Sequence, residues 1–472
     1  MAVTLNAPIS WQAASGDDAA MLDDLQPNIL KAHTRDFLAI LFLQFTDAKG
    51  GRAFLRDLTS LMKSTKQHLL EIQAFKGGAK TLGTPYVGVG LTAAGYGALG
   101  IVQIPGDPSF QNSMQATTAL NDPSVATWDK HFQTRKNLHA VVLIGDMGSD
   151  TKTAMHNKVI AKLNTAKGVV VLGTQDGHGQ HNNNGEGIEH FGYVDGRSQP
   201  LFFTEDILDE ENGTDGIANW SPSFPLEQVI VPDPAAPDPH VHFGSYFIFR
   251  KLEQNVKLFK SAEEQFAKDL GLGDEERAGA MIVGRFEDGT PLTMQFDDGV
   301  ESPVPNNFNY ESDKSGAKCP FLGHIRKTNP RGSGGFGQSQ EQERKHLMAR
   351  RGQTYGARVD DPNDGKIENK PERYVGLLFM AFNSNICNQF EFTQITWANN
   401  PGFPQVPAGS AQPGFDPVIG QTPNDVARPQ MTSPKAWGVP GSMVTAPAVP
   451  RAVTMKGGEY FFMPSLACLR NL

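Results

Sequence analysis

The sequence predicts an α+β protein made of two ferredoxin-like modules, each an antiparallel sheet with helices packed outside it. Two observations predict this class: strand and helix patterns follow a fixed order in the first half, and the second half repeats much of that order. The length agrees, since 472 residues are enough for two to three domains. With 39% apolar and 20% charged residues, the composition is that of a folded chain.

The first module is predicted at 36–235, after an irregular leader at 1–35. Continuous apolar runs such as FLAILFLQF indicate buried strands, and apolar residues at helical spacing indicate amphipathic helices. Strands are expected at 37–45, 86–91, 138–147 and 168–174, with helices at 52–72 and 150–166. The resulting order, β-α-β-β-α-β, is that of the ferredoxin-like split unit.

The second module is predicted at 236–472, following the proline-rich stretch VPDPAAPDPH. Strands are expected at 244–252, 374–382 and 459–465, with helices at 253–271, 275–281 and 386–397. Two very long connections, 284–345 and 400–455, interrupt the pattern. Because loops of this length in a compact domain usually carry function, we expect them to line a site.

Composition argues against several classes of protein. The net charge is −9 and no basic stripe is visible, so nucleic acid is not an expected partner. Three cysteines without C-x-x-C spacing argue against a disulfide framework or a thiolate metal site. No apolar run approaches the ~18 residues of a membrane span, so no membrane association is expected. The N-terminal residues resemble neither a signal peptide nor a twin-arginine signal, which makes the cytoplasm the expected location.

Two segments place charged residues beside flexible or strand-like sequence. In EHFGYVDGRSQP (189–200), Asp195 lies between glycines that permit a close approach of the backbone to a bound group. A plain surface turn is the alternative. In HLMARRGQTYG (346–356), Arg350 and Arg351 follow an apolar run, and an extended strand would send one inward and the other outward. Two surface arginines are the alternative here.

A third segment, KCPFLGHIRKTNPRG (318–332), places a histidine next to several cations. His324 lies between an apolar stretch and the basic residues Arg326, Lys327 and Arg331. An imidazole can ligate a metal while guanidinium groups neutralise the carboxylates or phosphates of an anionic cofactor. A half-buried histidine beside a solvated basic turn is the alternative.

Together these segments resemble the dye-decolourising peroxidases, a family of haem enzymes, and most closely their longer subfamily with bacterial and fungal members. The first matches the family's G-x-x-D-G motif, the second its proximal-histidine segment C-P-F-x-x-H-I-R-x-x-N-P-R, and the third its distal-arginine segment R-R-G-x-x-Y-G. Three further blocks match, beginning at 244, 376 and 457. The resemblance covers about residues 35–470. It implies two ferredoxin-like modules, with haem in a cavity of the C-terminal module.

The resemblance implies haem b as the cofactor and His324 as the proximal ligand of its iron. Asp416 is the candidate hydrogen-bond partner of His324, with Glu391 as the alternative. Asp195 would lie above the iron and move a proton between the two oxygens of hydrogen peroxide. Arg350 would stabilise the negative charge that develops as the O–O bond breaks.

Further residues are implied as haem neighbours. Arg331 is the expected partner of a haem propionate. The residues flanking Asp195 that are candidates for a propionate or the haem edge are Arg197, Ser198 and Gln199. Leu377 and Phe379 alternate on one strand and therefore share a face, which would wall the distal pocket or simply pack in the core.

Two aromatic residues match positions that relay electrons at the surface of family members. They are Tyr355 and Trp397, and structural packing is their alternative role. Such a relay would serve reductants too bulky for a small pocket.

The resemblance implies an enzyme that reduces hydrogen peroxide to water through a high-valent oxo-iron intermediate. Its expected reductants are bulky aromatic compounds such as anthraquinone dyes and phenols, and the low reference pKa of aspartate predicts an acidic optimum. One alternative is a haem carrier of the same fold without turnover. A second is a non-haem metal enzyme using the histidines of DGHGQHNNNGEGIEH, which are His178, His181 and His190. No tail for targeting to a protein nanocompartment is expected after CLRNL.

Overall fold

This computed structural model contains the four strands that the sequence predicts in the first half of the chain, and three short ones besides. The structure describes residues 2–80, 83–299, 303–362, 365–423 and 426–472. The strands are β1 (Phe37–Phe45), β2 (Tyr86–Leu91), β3 (Ala140–Asp146), β4 (Val169–His178), β5 (Gln180–His181), β6 (Gly187–Ile188) and β7 (Val231–Pro232). The helices are α1 (Gly16–Asp24), α2 (Ala48–Leu58), α3 (Thr65–Lys76), α4 (Ala93–Ala98), α5 (Pro108–Asn112), α6 (Ser149–Thr165) and α7 (Thr204–Gly213).

The second half repeats this arrangement with longer connections. Its strands are β8 (Phe243–Gln254), β9 (Ala349–Arg350), β10 (Gln353–Tyr355), β11 (Gly376–Asn383), β12 (Met431–Pro434), β13 (Met443–Ala446) and β14 (Val453–Met463). Its helices are α8 (Val256–Leu270), α9 (Glu275–Val283), α10 (His324–Thr328), α11 (Gln340–Arg344) and α12 (Leu466–Arg470). The helix predicted at 386–397 is present as two π-helical turns, Cys387–Glu391 and Thr393–Ala398.

The strand order confirms the two ferredoxin-like modules. In the first module the antiparallel strands lie in the order β2-β3-β1-β4, and in the second in the equivalent order β10-β11-β8-β14. β3 is buried along its whole length and β1 almost so, because helices cover one face and the other faces the interior. This explains why these strands are continuous apolar runs instead of alternating ones.

The two sheets join at both of their edges and so curl into one barrel. At one junction β14 pairs with β2 through Phe462 and Leu91. At the other, β10 lies against β4, and Thr354 Oγ1 donates a hydrogen bond to the backbone oxygen of His178. One large hydrophobic core runs through both modules. The module limits at 35/36 and 235/236 stay predictions.

The leader at 1–35 is not irregular, as the sequence suggested, because it contains α1 and is built into the barrel. The carboxamide of Gln26 accepts from Val89 N–H and donates to Val89 O, both at 2.9 Å, and also donates to Pro464 O at 2.7 Å. Gln26 is fully buried and thus bridges β2 to the end of β14, where the two strands share little pairing of their own. The leader has too few regularly spaced apolar residues for its sequence to predict this bridging role.

The helix predicted at 52–72 is two helices. α2 ends in a short 3₁₀ turn, Met62 is extended, and α3 begins after Ser64, whose hydroxyl accepts from the N–H of Gln67 at 3.2 Å. A serine at the N-cap position supplies this acceptor, which favours a new start over a continuous helix. Among the residues that the structure describes, no helix combines the length and the apolar character needed to cross a membrane.

A glycine in β14 gives a test of the packing between the modules. Gly457 has φ +144°, and a Cβ there would lie 2.2 Å from Cδ2 of Phe132. We expect Gly457→Ala to lower the free energy of unfolding by about 1–3 kcal/mol, because it adds both backbone strain and a steric clash. Chemical denaturation followed by circular dichroism measures this.

Gly97→Ala is the matched control. Gly97 lies in α4 with open space around its Cβ position, so this change should raise the stability by about 0.5–1 kcal/mol. Equal effects of the two substitutions would contradict the packing described for β14.

Candidate active site

One large cavity collects most of the polar side chains that the sequence singles out. Its volume is about 660 Å³. Its walls come from the loop at 179–199 of the first module and from β8, α10 and β9–β11 of the second, so both modules contribute. His324, Asp195, Arg350 and Arg331 all line it.

His324 begins α10 and is oriented by a buried carboxylate. Its Nδ1 lies 2.8 Å from Oδ2 of Asp416, which is 0% exposed. The other carboxylate oxygen accepts from the N–H groups of Val418 and Ile419, both at 2.8 Å. Nδ1–H donates its hydrogen bond to the carboxylate. The unprotonated nitrogen is therefore Nε2, whose lone pair is available on the cavity side. This arrangement suits His324 as a metal ligand through Nε2.

The electrostatic environment keeps Asp416 ionised. Burial by itself would raise the pKa of Asp416, but the His324 imidazole and the N–H donors outweigh burial and hold the pKa below its ordinary value. Lys327 acts in the same direction and clamps the surrounding loop, since its Nζ donates to the backbone oxygens of Asn400 at 3.0 Å and Gly414 at 2.8 Å. The carboxylate that orients His324 is therefore fixed in both charge and position.

Glu391, the alternative partner of His324, lies elsewhere. Its carboxylate accepts hydrogen bonds from the hydroxyl groups of Ser109, Thr117 and Tyr460, each at 2.8 Å. Ser109 and Thr117 belong to the first module, so this buried carboxylate joins the two modules. Glu391 is therefore not the group beside His324.

Asp195 follows a short antiparallel turn in which Ile188 pairs with Val194. Its backbone N–H donates to Gly187 O at 3.0 Å, and its Oδ1 accepts from the N–H of Gly196 at 2.7 Å. Gly196 has φ +86°, a conformation that favours glycine. Oδ2 makes no hydrogen bond to any residue in the described ranges. One oxygen of this cavity-lining carboxylate is thus held and the other is free.

Arg350 and the loop of Asp195 hold each other in place. Arg350 lies on β9, which pairs with β11 at Ala381. Its Nη2 donates to the backbone oxygen of Arg197 at 2.6 Å, and its backbone N–H donates to Oε1 of Gln199 at 3.0 Å. The remaining guanidinium N–H groups have no acceptor within the described part of the chain. They are available to a group bound in the cavity.

Arg351 has a structural role. Neighbouring side chains on an extended strand point in opposite directions, so Arg351 points away from the side of Arg350. Its guanidinium is buried and donates to the backbone oxygens of Asn28 at 2.8 Å and Ile29 at 2.9 Å. It therefore fastens the leader to the strand that carries Arg350.

Two buried arginines give one side of the cavity a positive charge. Arg331 stacks on Phe308, with 3.9 Å between guanidinium carbon and ring centroid, and donates to Ser198 Oγ at 2.7 Å. Arg331 and Arg285 both donate to Oδ1 of Asn306 at 3.0 Å. Burial lowers the pKa of Arg331 to about 9 and that of Arg285 to about 10, so both stay protonated at neutral pH. Arg285 is not predicted from the sequence, since GRFEDG carries no recognisable motif.

Among the other residues predicted to neighbour a cofactor, Leu377 and Phe379 form an apolar wall and Arg197 belongs to an ion pair. Leu377 and Phe379 flank the buried Leu378 on β11, and both line the cavity from the same face of the strand. Arg197 lines the cavity too but is ion-paired with Glu186. The cavity therefore has an apolar wall and a separate charged rim.

Glu189, which was not predicted from the sequence, is a second carboxyl group on the cavity and is half-buried. The hydrogen bonds of the turn place Glu189 and Asp195 on the same face. Glu189 accepts from the N–H groups of Phe191 at 2.8 Å and Tyr193 at 3.1 Å and from the amide of Gln254. Burial raises its pKa to about 7. Its position six residues before Asp195, across a short turn, is the signal that could have identified it.

Tyr355 and Trp397 are not at the surface, so that part of the prediction is wrong. Tyr355 is 4% exposed and Trp397 is 0% exposed. Tyr355 lies on β10, at the closed junction of the barrel, with Lys251 Nζ 5.0 Å from its ring centroid. Trp397 lies in a π-helical turn and is covered by the stacked ring of Phe403, with 5.3 Å between centroids.

The three histidines of the 176–190 segment each contact a different partner. His190 Nε2 lies 2.8 Å from the backbone oxygen of Tyr355, and His181 Nε2 lies 3.3 Å from a carboxylate oxygen of Asp36. His178 ends β4 and packs against an aromatic ring. Within the described residues, no three His, Cys, Asp or Glu side chains are grouped to hold a metal ion.

Comparison with known proteins identifies the family. A sequence model described as the DyP dimeric alpha+beta barrel domain matches residues 24–177. The chain is 59% identical to the multifunctional dye peroxidase DyP2 of an Amycolatopsis species, with 100% of both chains covered. It is 30% identical to the dye-decolorizing peroxidase msp1 of Mycetinis scorodonius, over 98% of this chain and 90% of that one.

Solved structures agree with the sequence comparison. The structure of the Amycolatopsis DyP2 superposes with a TM-score of 0.95 at 58% identity, covering 100% of both chains. That of a DyP-type peroxidase from Anabaena gives a TM-score of 0.87 at 37% identity, over 98% of this chain and 96% of that one. The chain belongs to the dye-decolourising peroxidase family. Haem is the cofactor of this family.

The residues present fit haem. A histidine with a carboxylate on Nδ1 is a suitable axial ligand for haem iron. The buried cations Arg285 and Arg331 can neutralise the two propionate groups, and Leu377 and Phe379 offer an apolar wall to the macrocycle.

Asp416 gives a test of the electrostatic account in the protein without haem. Its pKa is lower in the folded than in the unfolded chain, so its ionised form stabilises the fold above about pH 4 and this contribution is lost as the pH falls through the folded-state pKa. At pH 7, the free energy of unfolding of Asp416→Asn should be about 1.5–3 kcal/mol lower than that of the unmodified protein.

This difference should narrow as the pH falls toward 3, because protonation then removes the same charge from the natural side chain. Denaturant unfolding at a series of pH values measures it. A difference that stays constant between pH 7 and pH 3 would contradict an ionised Asp416.

Proposed function

We propose that the protein is a haem peroxidase that reduces hydrogen peroxide and oxidises bulky dyes and phenols. The observation that carries this proposal is the convergence on one cavity of the His324–Asp416 pair, the carboxylate of Asp195 and the guanidinium of Arg350. A protein that only carried haem would need an axial ligand, but it would have no use for an acid–base group paired with a fixed cation. The relatives that the chain matches are named as peroxidases, which also favours turnover.

In this proposal haem b is held by His324 through Nε2, with its propionates toward Arg285 and Arg331. The polar contacts of these two arginines already include Ser198 and Asn306, so the cations are positioned before a cofactor arrives. Leu377 and Phe379 keep water away from the reacting side. The choice of haem b and the cytoplasmic location both stay predictions.

Bound haem supplies an iron that binds peroxide and takes up its two oxidising equivalents. Asp195 does the proton transfer: its free Oδ2 accepts the proton from one peroxide oxygen and returns it to the other, which leaves as water. The held Oδ1, fixed by Gly196 N–H, keeps the carboxylate from rotating away. The second carboxyl group, Glu189, lies on the same face of the turn and can exchange a proton with the cavity near pH 7.

Arg350 stabilises the negative charge that develops during the reaction. A guanidinium stays protonated in the working pH range and cannot serve as the base. Its free N–H groups are donors for the negative charge that develops as the O–O bond breaks, and the hydrogen bond to Arg197 O fixes the group beforehand. Because Nη2 of Arg350 holds the backbone oxygen of Arg197, two residues after Asp195, loss of the side chain disturbs the Asp195 loop as well.

Distal substitutions test these roles. We expect Asp195→Asn to slow the reaction with hydrogen peroxide by about 10²–10⁴-fold, because the amide cannot accept the proton. Arg350→Leu should slow it by about 10²–10³-fold, because a charge-stabilising donor is lost. Stopped-flow absorption of the haem-loaded protein after mixing with peroxide measures both rates.

Asp36→Asn is the matched control, since Asp36 lines the same cavity but is paired with His181. Its rate should stay within about twofold of the unmodified protein. A rate for Asp195→Asn equal to that of the control would remove Asp195 from the mechanism. Failure of the unmodified protein to react with peroxide or to bleach an anthraquinone dye would refute the proposed function.

A further inference from the structure

Met348 is the one methionine in the described part of the chain that lines the cavity. It lies two residues before Arg350, and it is 8% exposed. Side chains two residues apart in an extended segment lie on the same face, and both of these residues border the cavity. The thioether of Met348 therefore lies at the wall of the space in which hydrogen peroxide is proposed to react.

The segment that carries Met348 is held on both sides. On one side, the backbone oxygen of Leu347 accepts hydrogen bonds from the carboxamide groups of Gln228 at 2.6 Å and Gln389 at 2.8 Å. On the other side, Arg350 is fixed through its backbone N–H and its guanidinium. The position of the sulfur at the cavity wall is thus built into the fold.

A thioether can accept an oxygen atom directly, without losing a proton. Peroxide converts methionine into its sulfoxide, and reductases reverse the change. In bulk solution this reaction follows exposure, so Met147 and Met294, which are 37% and 40% exposed, should react before Met348. A cavity that binds and activates peroxide reverses this order, because it brings the oxidant to the buried sulfur.

We propose that Met348 is a site of oxidation by the protein's own peroxide chemistry, and that its sulfoxide slows the reaction with peroxide. The inference rests on the proposed function, since peroxide bound in this cavity is the oxidant. One S–O bond forms as the O–O bond of hydrogen peroxide breaks, and the other peroxide oxygen leaves as water with both protons. Sulfur loses two electrons and peroxide gains them, so no further reactant is needed.

The sulfoxide oxygen is a new hydrogen-bond acceptor two residues from Arg350. It needs a donor, because an unpaired polar group in a buried wall is costly. Arg350 donates to the backbone oxygen of Arg197 and has further N–H groups without an acceptor among the described residues. A hydrogen bond to the sulfoxide occupies donors that the reacting peroxide needs. Oxidation of Met348 is therefore a brake that acts when peroxide is present without a reductant.

Peptide mass spectrometry tests the site. Haem-loaded protein is incubated with a small excess of hydrogen peroxide and no reductant, and trypsin then releases Met348 in the peptide HLMAR. This peptide should gain about 16 Da, the mass of one oxygen atom, before the peptide that contains Met294 does so. Haem-free protein treated in the same way should show the opposite order, because exposure alone then decides. The same order in both samples, whichever it is, would overturn the proposal.

Met348→Leu tests the brake, with Met294→Leu as the matched control, since leucine keeps most of the volume of methionine but has no sulfur. Each stopped-flow rate with fresh peroxide is compared with the rate of the same protein before exposure, at equal haem content. Exposure should lower the rate by about 3-fold or more in the unmodified protein and in Met294→Leu. Met348→Leu should keep its rate, and methionine sulfoxide reductase should restore that of the unmodified protein. Equal losses in the two variants would contradict the brake.

Oxidation of an anthraquinone dye separates this inference from the proposed function. If the unmodified protein oxidises the dye but leaves Met348 intact when the dye is omitted, the inference is refuted and the proposed function stands. If the protein neither reacts with peroxide nor oxidises the dye, the proposed function is refuted, and the inference falls with it.

Discussion

The hydrogen bond between His324 and the buried carboxylate of Asp416 is the interaction on which the rest of the site depends. It fixes the tautomer of the imidazole and leaves Nε2 toward the cavity. A buried carboxylate is costly unless it is fully satisfied, and here two backbone N–H groups and Lys327 complete its environment. Lys327 also holds the long loop from 400 to 416, because its Nζ donates to the backbone oxygens of Asn400 and Gly414.

The barrel brings the two sides of the site together. The first module supplies the turn with Asp195, the second supplies His324 and Arg350, and neither module contains the whole site. The junctions are held by polar side chains as well as by strand pairing. Gln26 bridges β2 and β14, while Arg351 fastens the leader to β9. The leader therefore contributes to the position of Arg350 although it lies outside the cavity wall for most of its length.

The sequence was sufficient for features that depend on local patterns. Continuous apolar runs marked the buried strands, and the resemblance of three motifs to those of a known family pointed to His324, Asp195 and Arg350, all of which line one cavity. It failed where the deciding contact is distant in the chain and made to backbone atoms. Arg285 bonds to carbonyl oxygens, and the burial of Trp397 depends on Phe403, beyond the end of its helix. Neither contact leaves a periodic or compositional trace. The choice between Asp416 and Glu391 likewise required the path of a long loop.

The most direct test of the central claim is the absorption spectrum of haem-loaded His324→Gly with and without added imidazole. If Nε2 of His324 ligates the iron, the variant should lose the histidine-ligated spectrum of the unmodified protein. Imidazole should restore it by filling the space that the side chain leaves. A variant whose spectrum equals that of the unmodified protein before imidazole is added would show that another residue ligates the iron, and would contradict the account.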